Sequence, residues 1–195
     1  MQVITASISL PVSLEAAFRV ISDLNTLLRL SPFFTLTRFE SSQTGTPQPG
    51  ARYSVTLEYY ATRLIETHRI AVDMFEPDSA MSFSIEEGAF RGIRFAIERS
   101  DAGIRLMQTL LLEAADETVM AGSQKELQLW LRSIGEYIKL AAGTSIPSRL
   151  AARFMDKVWL KLTLSERNIA VIITRISALE LALLLILVLV WRMFG

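Results

Sequence analysis

The chain has 195 residues, enough for one domain of ordinary size plus an appendage. One histidine and no cysteine exclude disulfides, thiolate catalysis, cysteine-based zinc sites and any multi-histidine metal centre. Charge is balanced at 20 basic and 20 acidic residues, but residues 1–145 carry 13 Lys and Arg against 17 Asp and Glu, which excludes a basic field suited to nucleic acid.

Residues 2–10 (QVITASISL) alternate and are rich in β-branched types, as a strand requires. The N-terminal stretch has no basic segment followed by an apolar core, so no signal peptide is expected and the front domain should remain cytoplasmic. Pro11 and Ser13 then open a helix in SLEAAFRVISDL, with Leu14, Ala17, Phe18 and Ile21 on one face. A shorter apolar piece, NTLLRLSPF, stops at Pro32.

Strand-like runs follow at 33–40, 51–60, 62–76, 80–87, 89–100 and 104–114, separated by turn signals. The connector GTPQPG (45–50) is rich in turn formers and has no phosphate-cradle pattern; it reads as a connector or a flap over a pocket. Next comes a long helix, SQKELQLWLRSIGEYIKLAA, in which Leu127, Trp130, Leu131, Ile134, Tyr137 and Ile138 recur at helical spacing. Ser123 and Glu126 have the form of a capping box at its start, and Gly143 supplies a stop. A strand, two helices, about six antiparallel strands and one long helix make an α+β layer architecture.

Strand alternation indicates which side chains face the long helix. Tyr53, Val55, Leu57 and Tyr59 form one inward set; Phe83 and Ile85, with Met81, form a second; Phe95, with Ile93 and Ile97, a third; Gln108, with Leu106, Leu110 and Leu112, a fourth. In 62–76, Ile70, Val72 and Met74 point inward, and the same alternation brings Glu66 and His68 to that face. With Trp130 and Ile134 from the helix, these positions are the candidate walls of a ligand pocket or of a solid core. Glu66 and His68 are the candidate catalytic residues, as a weak acid–base pair, or else the polar anchor for a ligand headgroup.

The C-terminal fifty residues change character, with 7 basic residues against 3 acidic. In 146–167, Arg149, Arg153, Lys157 and Lys161 recur every four residues, one position ahead of Leu150, Phe154, Val158 and Leu162. Met155 and Trp159 widen the apolar stripe, as in an amphipathic helix lying on a lipid surface. Residues 169–194 carry only Arg175, Glu180 and Arg192 as charges. A helix from Ile176 to Phe194 would be about 28 Å long, near the ~30 Å hydrocarbon thickness, so a single-pass transmembrane helix is expected there. The excess of basic residues on its N-terminal side places the large domain in the cytoplasm, at the cell membrane.

The opening ISLPVSLEAAFRVISDLNTLLRLSPF, with Pro11, Phe18, Asp23 and Pro32 at its marked places, resembles the START/Bet v 1-like (SRPBCC) superfamily, which includes polyketide cyclases and coenzyme-Q-binding proteins. The resemblance covers about residues 2–142 and implies a helix-grip fold, a curved antiparallel sheet wrapped around a long C-terminal helix and enclosing an apolar cavity. A membrane helix is not the usual ending for such proteins, although a membrane-recruiting subunit of carbon monoxide dehydrogenase is similar in having one. The expected organisation is therefore a ligand-binding domain at 1–143, a basic amphipathic helix at 146–167 and a membrane helix at 169–194.

The resemblance implies binding of a hydrophobic small molecule (a lipid, quinone or isoprenoid), with the lipid bilayer as second partner. No cofactor and no metal is expected. The alternatives are a cyclase- or hydrolase-like enzyme using His68 and Glu66, and an adaptor recruiting a cytoplasmic protein partner to the membrane.

Overall fold

The computed structural model describes the backbone of residues 2–41, 46–86, 90–113 and 117–194. They divide into two compact units, Met1–Leu160 and Lys161–Gly195. The first holds seven strands: β1 (Gln2–Leu10), β2 (Phe34–Ser41), β3 (Arg52–Tyr59), β4 (Ile65–Glu76), β5 (Ala80–Ile85), β6 (Phe90–Ser100) and β7 (Gly103–Leu112). They form one antiparallel sheet in the order β1-β7-β6-β5-β4-β3-β2. The chain closes it by returning its first strand to the last hairpin. Helices α1 (Leu14–Ile21) and α2 (Leu24–Arg29) lie between β1 and β2, and α3 (Glu117–Ala142) follows β7.

Local chemistry explains the short helices. Ser13 caps α1 by accepting the Ala16 amide at 3.2 Å, and Asp23 caps α2 by accepting the Thr26 amide at 3.2 Å and its hydroxyl at 2.7 Å. Phe18 is buried and meets Phe75 of β4 edge-on, with ring centroids 5.4 Å apart. Phe75 holds that place because the β4–β5 register shifts between Val72 and Met74. The bulge corrects the expected inward set: both residues are partly buried, but it is Phe75 and not Met74 that packs against the core.

Two glycines set how closely elements approach. Gly103, at φ +125, turns β6 into β7, and a Cβ there would lie 2.3 Å from the Leu10 carbonyl oxygen. Gly103→Ala is therefore expected to lower unfolding stability by about 1–3 kcal/mol, read as a reduced urea midpoint at unchanged slope. A midpoint equal to wild type would show that the turn relaxes freely. Gly135 lets α3 sit directly on β1, because a Cβ there would come within 2.4 Å of Ile8 Cδ1.

Helix α3 begins at Glu117, ahead of the expected capping box, so Ser123 and Glu126 stand within the helix and its buried Ser123 turns to another use. Gly143 follows the last residue of α3, as expected, and its missing Cβ also clears Ser148, whose Cβ would lie 2.5 Å away. The segment expected as one amphipathic helix over 146–167 is divided. It forms α4 (Ile146–Lys157), a 3-10 turn at Trp159–Lys161, and the start of α5 (Leu164–Phe194). Thr163 and Glu166 explain the break: the Glu166 carboxylate accepts the Thr163 amide at 2.7 Å and the Thr163 hydroxyl accepts the Glu166 amide at 3.4 Å, a reciprocal cap that starts a new helix.

Within the first unit, α4 is tied down on one side. Tyr137 of α3 donates its hydroxyl to Asp156, and Arg29 donates to the Leu160 carbonyl at 3.1 Å. The other side is bare. Ile146, Leu150, Phe154 and Val158 form an exposed ridge, flanked one position away by exposed Arg149, Arg153 and Lys157.

In the second unit, α5 runs 31 residues. Among the described residues no helix is long and apolar enough to cross a membrane. The transmembrane helix expected at 169–194 is thus corrected to a long helix that starts earlier, at Leu164, and carries Arg167, Arg175, Glu180 and Arg192. Side chains at 164, 168, 178, 185, 187, 189, 190 and from 193 onward fall outside the description.

Candidate functional site

Between the inner face of the sheet and the N-terminal half of α3 lies a cavity of about 570 Å³. Its sheet wall takes alternate residues from five neighbouring strands: Val55, Leu57 and Tyr59 of β3, His68 and Ile70 of β4, Phe83 and Ile85 of β5, Ile93 of β6 and Leu110 of β7. Ser123, Glu126, Leu127 and Trp130 of α3 cover it. One end is closed by Leu28, Pro32, Phe33 and Phe34, and the β3–β4 turn adds Tyr60, Ala61 and Thr62. The space exists because α3 is held off the sheet here. Trp130 wedges against Phe34 and Phe95 at ring distances of 5.9 and 6.3 Å, and its indole N–H is fastened to the Leu27 carbonyl at 3.3 Å.

The wall is mostly apolar; its polar members are Tyr60 and Thr62 at the turn, Ser123 and Glu126 on α3, and the Tyr59–His68 pair on the sheet. The Tyr59 hydroxyl lies 2.9 Å from His68 Nε2, and the Glu66 carboxylate approaches the same nitrogen at 3.4 Å. The imidazole is mostly buried (13% exposed), whereas Glu66 is half exposed (48%) and lies outside the cavity lining. Burial, reinforced by the negative charge of Glu66, pushes the Tyr59 phenol up to about 12. Tyr59 therefore keeps its proton at neutral pH and serves as a hydroxyl, not a base. Together Tyr59 and His68 offer donors and acceptors to a polar group entering a largely apolar space.

The same shift fixes a response to alkali. A phenol whose folded-state pKa exceeds its unfolded value of ~10 adds stability below that pH, and the contribution disappears as pH rises through the folded value. Tyr137 is shifted the same way, by burial and by its bond to Asp156. Unfolding midpoints are expected to fall steeply between pH 10 and about 12, and Tyr59→Phe combined with Tyr137→Phe should flatten that fall. An unchanged slope in the double variant would refute both assignments.

Of the expected wall residues, Val55, Leu57, Tyr59, His68, Ile70, Phe83, Ile85 and Trp130 line the cavity. Four do not. Phe95 and Ile134 are fully buried in the packed part of the core, and Gln108 is buried beside them in register with Phe95. Tyr53 faces a separate, polar recess with Asp23, Phe39 and Pro47. The expected flap at 45–50 begins outside the described residues. Its described part does not line the cavity, and Gly50 is fastened by its amide to the Val72 carbonyl at 2.7 Å. Phe33, Phe34, Tyr60 and Thr62 lie at the ends of expected strands and Ala61 between two of them, where alternation assigns no pocket-facing side. Ser123 and Glu126 have the form of a cap, a pattern that carries no signal for a cavity wall.

Of the expected membrane-surface residues, Arg149, Arg153 and Lys157 are exposed on α4. Trp159 is partly buried with its ring tilted on Phe154, 6.5 Å away, and Lys161 is an exposed residue at the head of the second unit. No cluster of metal-ligating side chains occurs among the described residues.

No protein-family model matches the chain, and no curated protein matches it in sequence. Solved structures do match in shape. A Thermus thermophilus protein superposes with a TM-score of 0.55 at 16% identity, covering 73% of this chain and all of its own (100%). Ara h 8.0201 matches at 0.52 and 14%, over 71% of this chain and 97% of its own. The Aha1 dimer of Colwellia psychrerythraea matches at 0.52 and 13%, over 73% and 100%. At such identities the likeness shows the fold: a seven-stranded antiparallel sheet gripping a long helix, the helix-grip fold that the opening of the sequence resembles.

Proposed function

We propose that the protein binds an apolar or amphipathic small molecule in the cavity and does so at a lipid surface on the cytoplasmic side of a membrane. The single observation behind the first part is the partly open, largely apolar space of about 570 Å³ whose sheet wall carries one polar pair, Tyr59 and His68. Such a volume lies within the usual range for drug-sized ligands, and a few polar groups in an apolar lining fix a ligand's orientation. The fold supports it too, because helix-grip domains typically hold hydrophobic small molecules. Native mass spectrometry after incubation with a total lipid extract is the test. A stoichiometric adduct is expected, and failure of every lipid class to bind would sink the reading.

The lipid surface rests on α4. Leu150 and Phe154 are 61% and 52% exposed on a ridge flanked by three basic side chains. Burying two such side chains in an interface contributes roughly 1.5–3 kcal/mol each, and each basic residue about 1 kcal/mol against anionic headgroups. A chain ending at Leu160 should therefore sediment with phosphatidylserine-containing vesicles and release in high salt. Leu150→Glu with Phe154→Glu should weaken that association by more than ~100-fold. Equal binding to neutral vesicles, or no loss in the double variant, would remove α4 from the reading. In the full chain, exposed Ile172, Ile176, Leu179 and Leu183 of α5 add apolar surface, and resistance to alkaline carbonate reads how firmly it attaches.

A second reading, a cyclase- or hydrolase-like enzyme, draws on the meeting of Tyr59, His68 and Glu66. The two readings part at His68→Ala. An acid–base role predicts lost turnover with ligand affinity kept, and an anchoring role predicts weaker affinity.

A further inference from the structure

Gln108 stands in the middle of β7, between Ala6 of β1 and Phe95 of β6, on the sheet face that meets α3. It is 0% exposed, and neither its Nε2 nor its Oε1 has a hydrogen-bond partner among the described residues. A buried amide left unpartnered is destabilising, and a residue of similar shape without polar atoms would avoid the penalty. The alternation of β7 already uses such residues at Leu106, Leu110 and Leu112. Packing therefore gives no reason for an amide at this position.

Its place in the sheet does. Leu110, two residues along β7, lines the cavity, and two residues of strand span about 7 Å. Phe95, beside Gln108 in register, touches the cavity-lining Trp130. On the other side Ala6 presents only a methyl group. Gln108 thus stands next to two neighbours of the cavity, two strand positions from Leu110 and in register with Phe95, with no charged residue at either register position.

We propose that Gln108 is the inner anchor of the ligand site. A ligand polar at its far end displaces Leu110 into another rotamer and hydrogen-bonds the amide, while its near end meets Tyr59 and His68. A group that both accepts from Nε2 and donates to Oε1 fits: a hydroxyl, a neutral carboxylic acid or a carboxamide. The ligand class is then an apolar body with an uncharged hydrogen-bonding group at each end, not a single-headed amphiphile. This rests on the reading that the cavity holds an apolar ligand.

The test uses the full chain and two series of probes, 1-alkanols and α,ω-alkanediols of eight to sixteen carbons, displacing the fluorescent probe 1-anilinonaphthalene-8-sulfonate. Wild type is expected to favour the diol over the alkanol by about tenfold at one chain length, the worth of one or two neutral hydrogen bonds. Gln108→Leu should erase that preference, leave alkanol affinity unchanged and raise the melting temperature of the ligand-free protein. Gln108→Met serves if the leucine variant does not fold. Diols no better than alkanols at every length overturn the inference while leaving the cavity reading intact. A preserved preference in the variants overturns it too, and a lowered melting temperature with no change in preference assigns the amide to an internal water. Alkanols and diols that all fail to displace the probe overturn the cavity reading and this inference with it.

Discussion

Ile85→Trp is expected to weaken binding of an apolar ligand by at least ~30-fold while leaving the fold nearly as stable as wild type. Ile85 closes the end of β5, is only partly buried, and faces the cavity across from Ile70. An indole at this position projects into empty volume, so the overpacking that usually costs 1–3 kcal/mol is largely absent. The ligand loses what the indole takes. Excluding about 100 Å² of apolar contact at ~25 cal/mol per Å² removes roughly 2.5 kcal/mol, and 1.4 kcal/mol is tenfold. Displacement titrations with 1-anilinonaphthalene-8-sulfonate and urea unfolding measure the two quantities on the same preparation. Affinity within threefold of wild type would mean that the ligand occupies some other place. A large loss of stability would mean that the space around Ile85 is closed in solution.

This prediction depends on separating wall from core, and the sequence carried only half of that distinction. Alternation put Phe83, Ile85, Phe95 and Gln108 on one face of the sheet, and all four do turn from solvent. It could not say which would meet empty space, because alternation reports the face and not the depth behind it. Depth is set by how far α3 stands off. Gly135 brings the helix down onto Ile8 and Leu10, and Trp130 props it up over Phe34 and Phe95. A missing Cβ and a large ring, five residues apart on one helix, give the layer a closed end and an open one. Trp130 is one member of the periodic apolar row and Gly135 lies outside it, so neither stands out as a spacer.

The local marks fared better. Ser13 caps the helix it was expected to open, Asp23, a marked place of the resemblance, caps the next one, and Phe18 is buried. The pairing of Glu66 with His68 was readable from spacing alone, but Tyr59 was not recognised as its third member. Tyr59 lies on the neighbouring strand beyond the register position of Glu66, where the β3–β4 turn begins. That turn was expected to be four residues tighter, with only residue 61 between the strands where the structure has residues 60–64, which hid the contact. At the C-terminus, hydropathy dominated the reading and the Thr163–Glu166 cap was overlooked, although a threonine three residues before a glutamate is itself a helix-start signal.

Phe95→Ala should be the most damaging single substitution in the first unit, at about 3–5 kcal/mol. Phe95 is completely buried, stacked against Phe83 at 6.4 Å and edge-on to Trp130 at 6.3 Å. Deleting its ring removes transfer energy and leaves a void that the sheet, held by β5 on one side and β7 on the other, closes poorly. Against a typical total of 5–15 kcal/mol that loss is a large share, equivalent to a fall in melting temperature of about 10 °C for a domain of this size. The informative control is Phe33→Ala. Phe33 borders the cavity and is only partly buried, so its removal enlarges a space already present and should cost about 1 kcal/mol or less. The ratio between the two is the measurement that matters. Equal losses would show that Phe33 and Phe95 are packed alike, and the division of this helix-grip layer into a solid end and a hollow one would fail. A ratio of three or more would show that the domain maintains its hollow end by the rigidity of the solid end, with Phe95 and Trp130 as the seam between them.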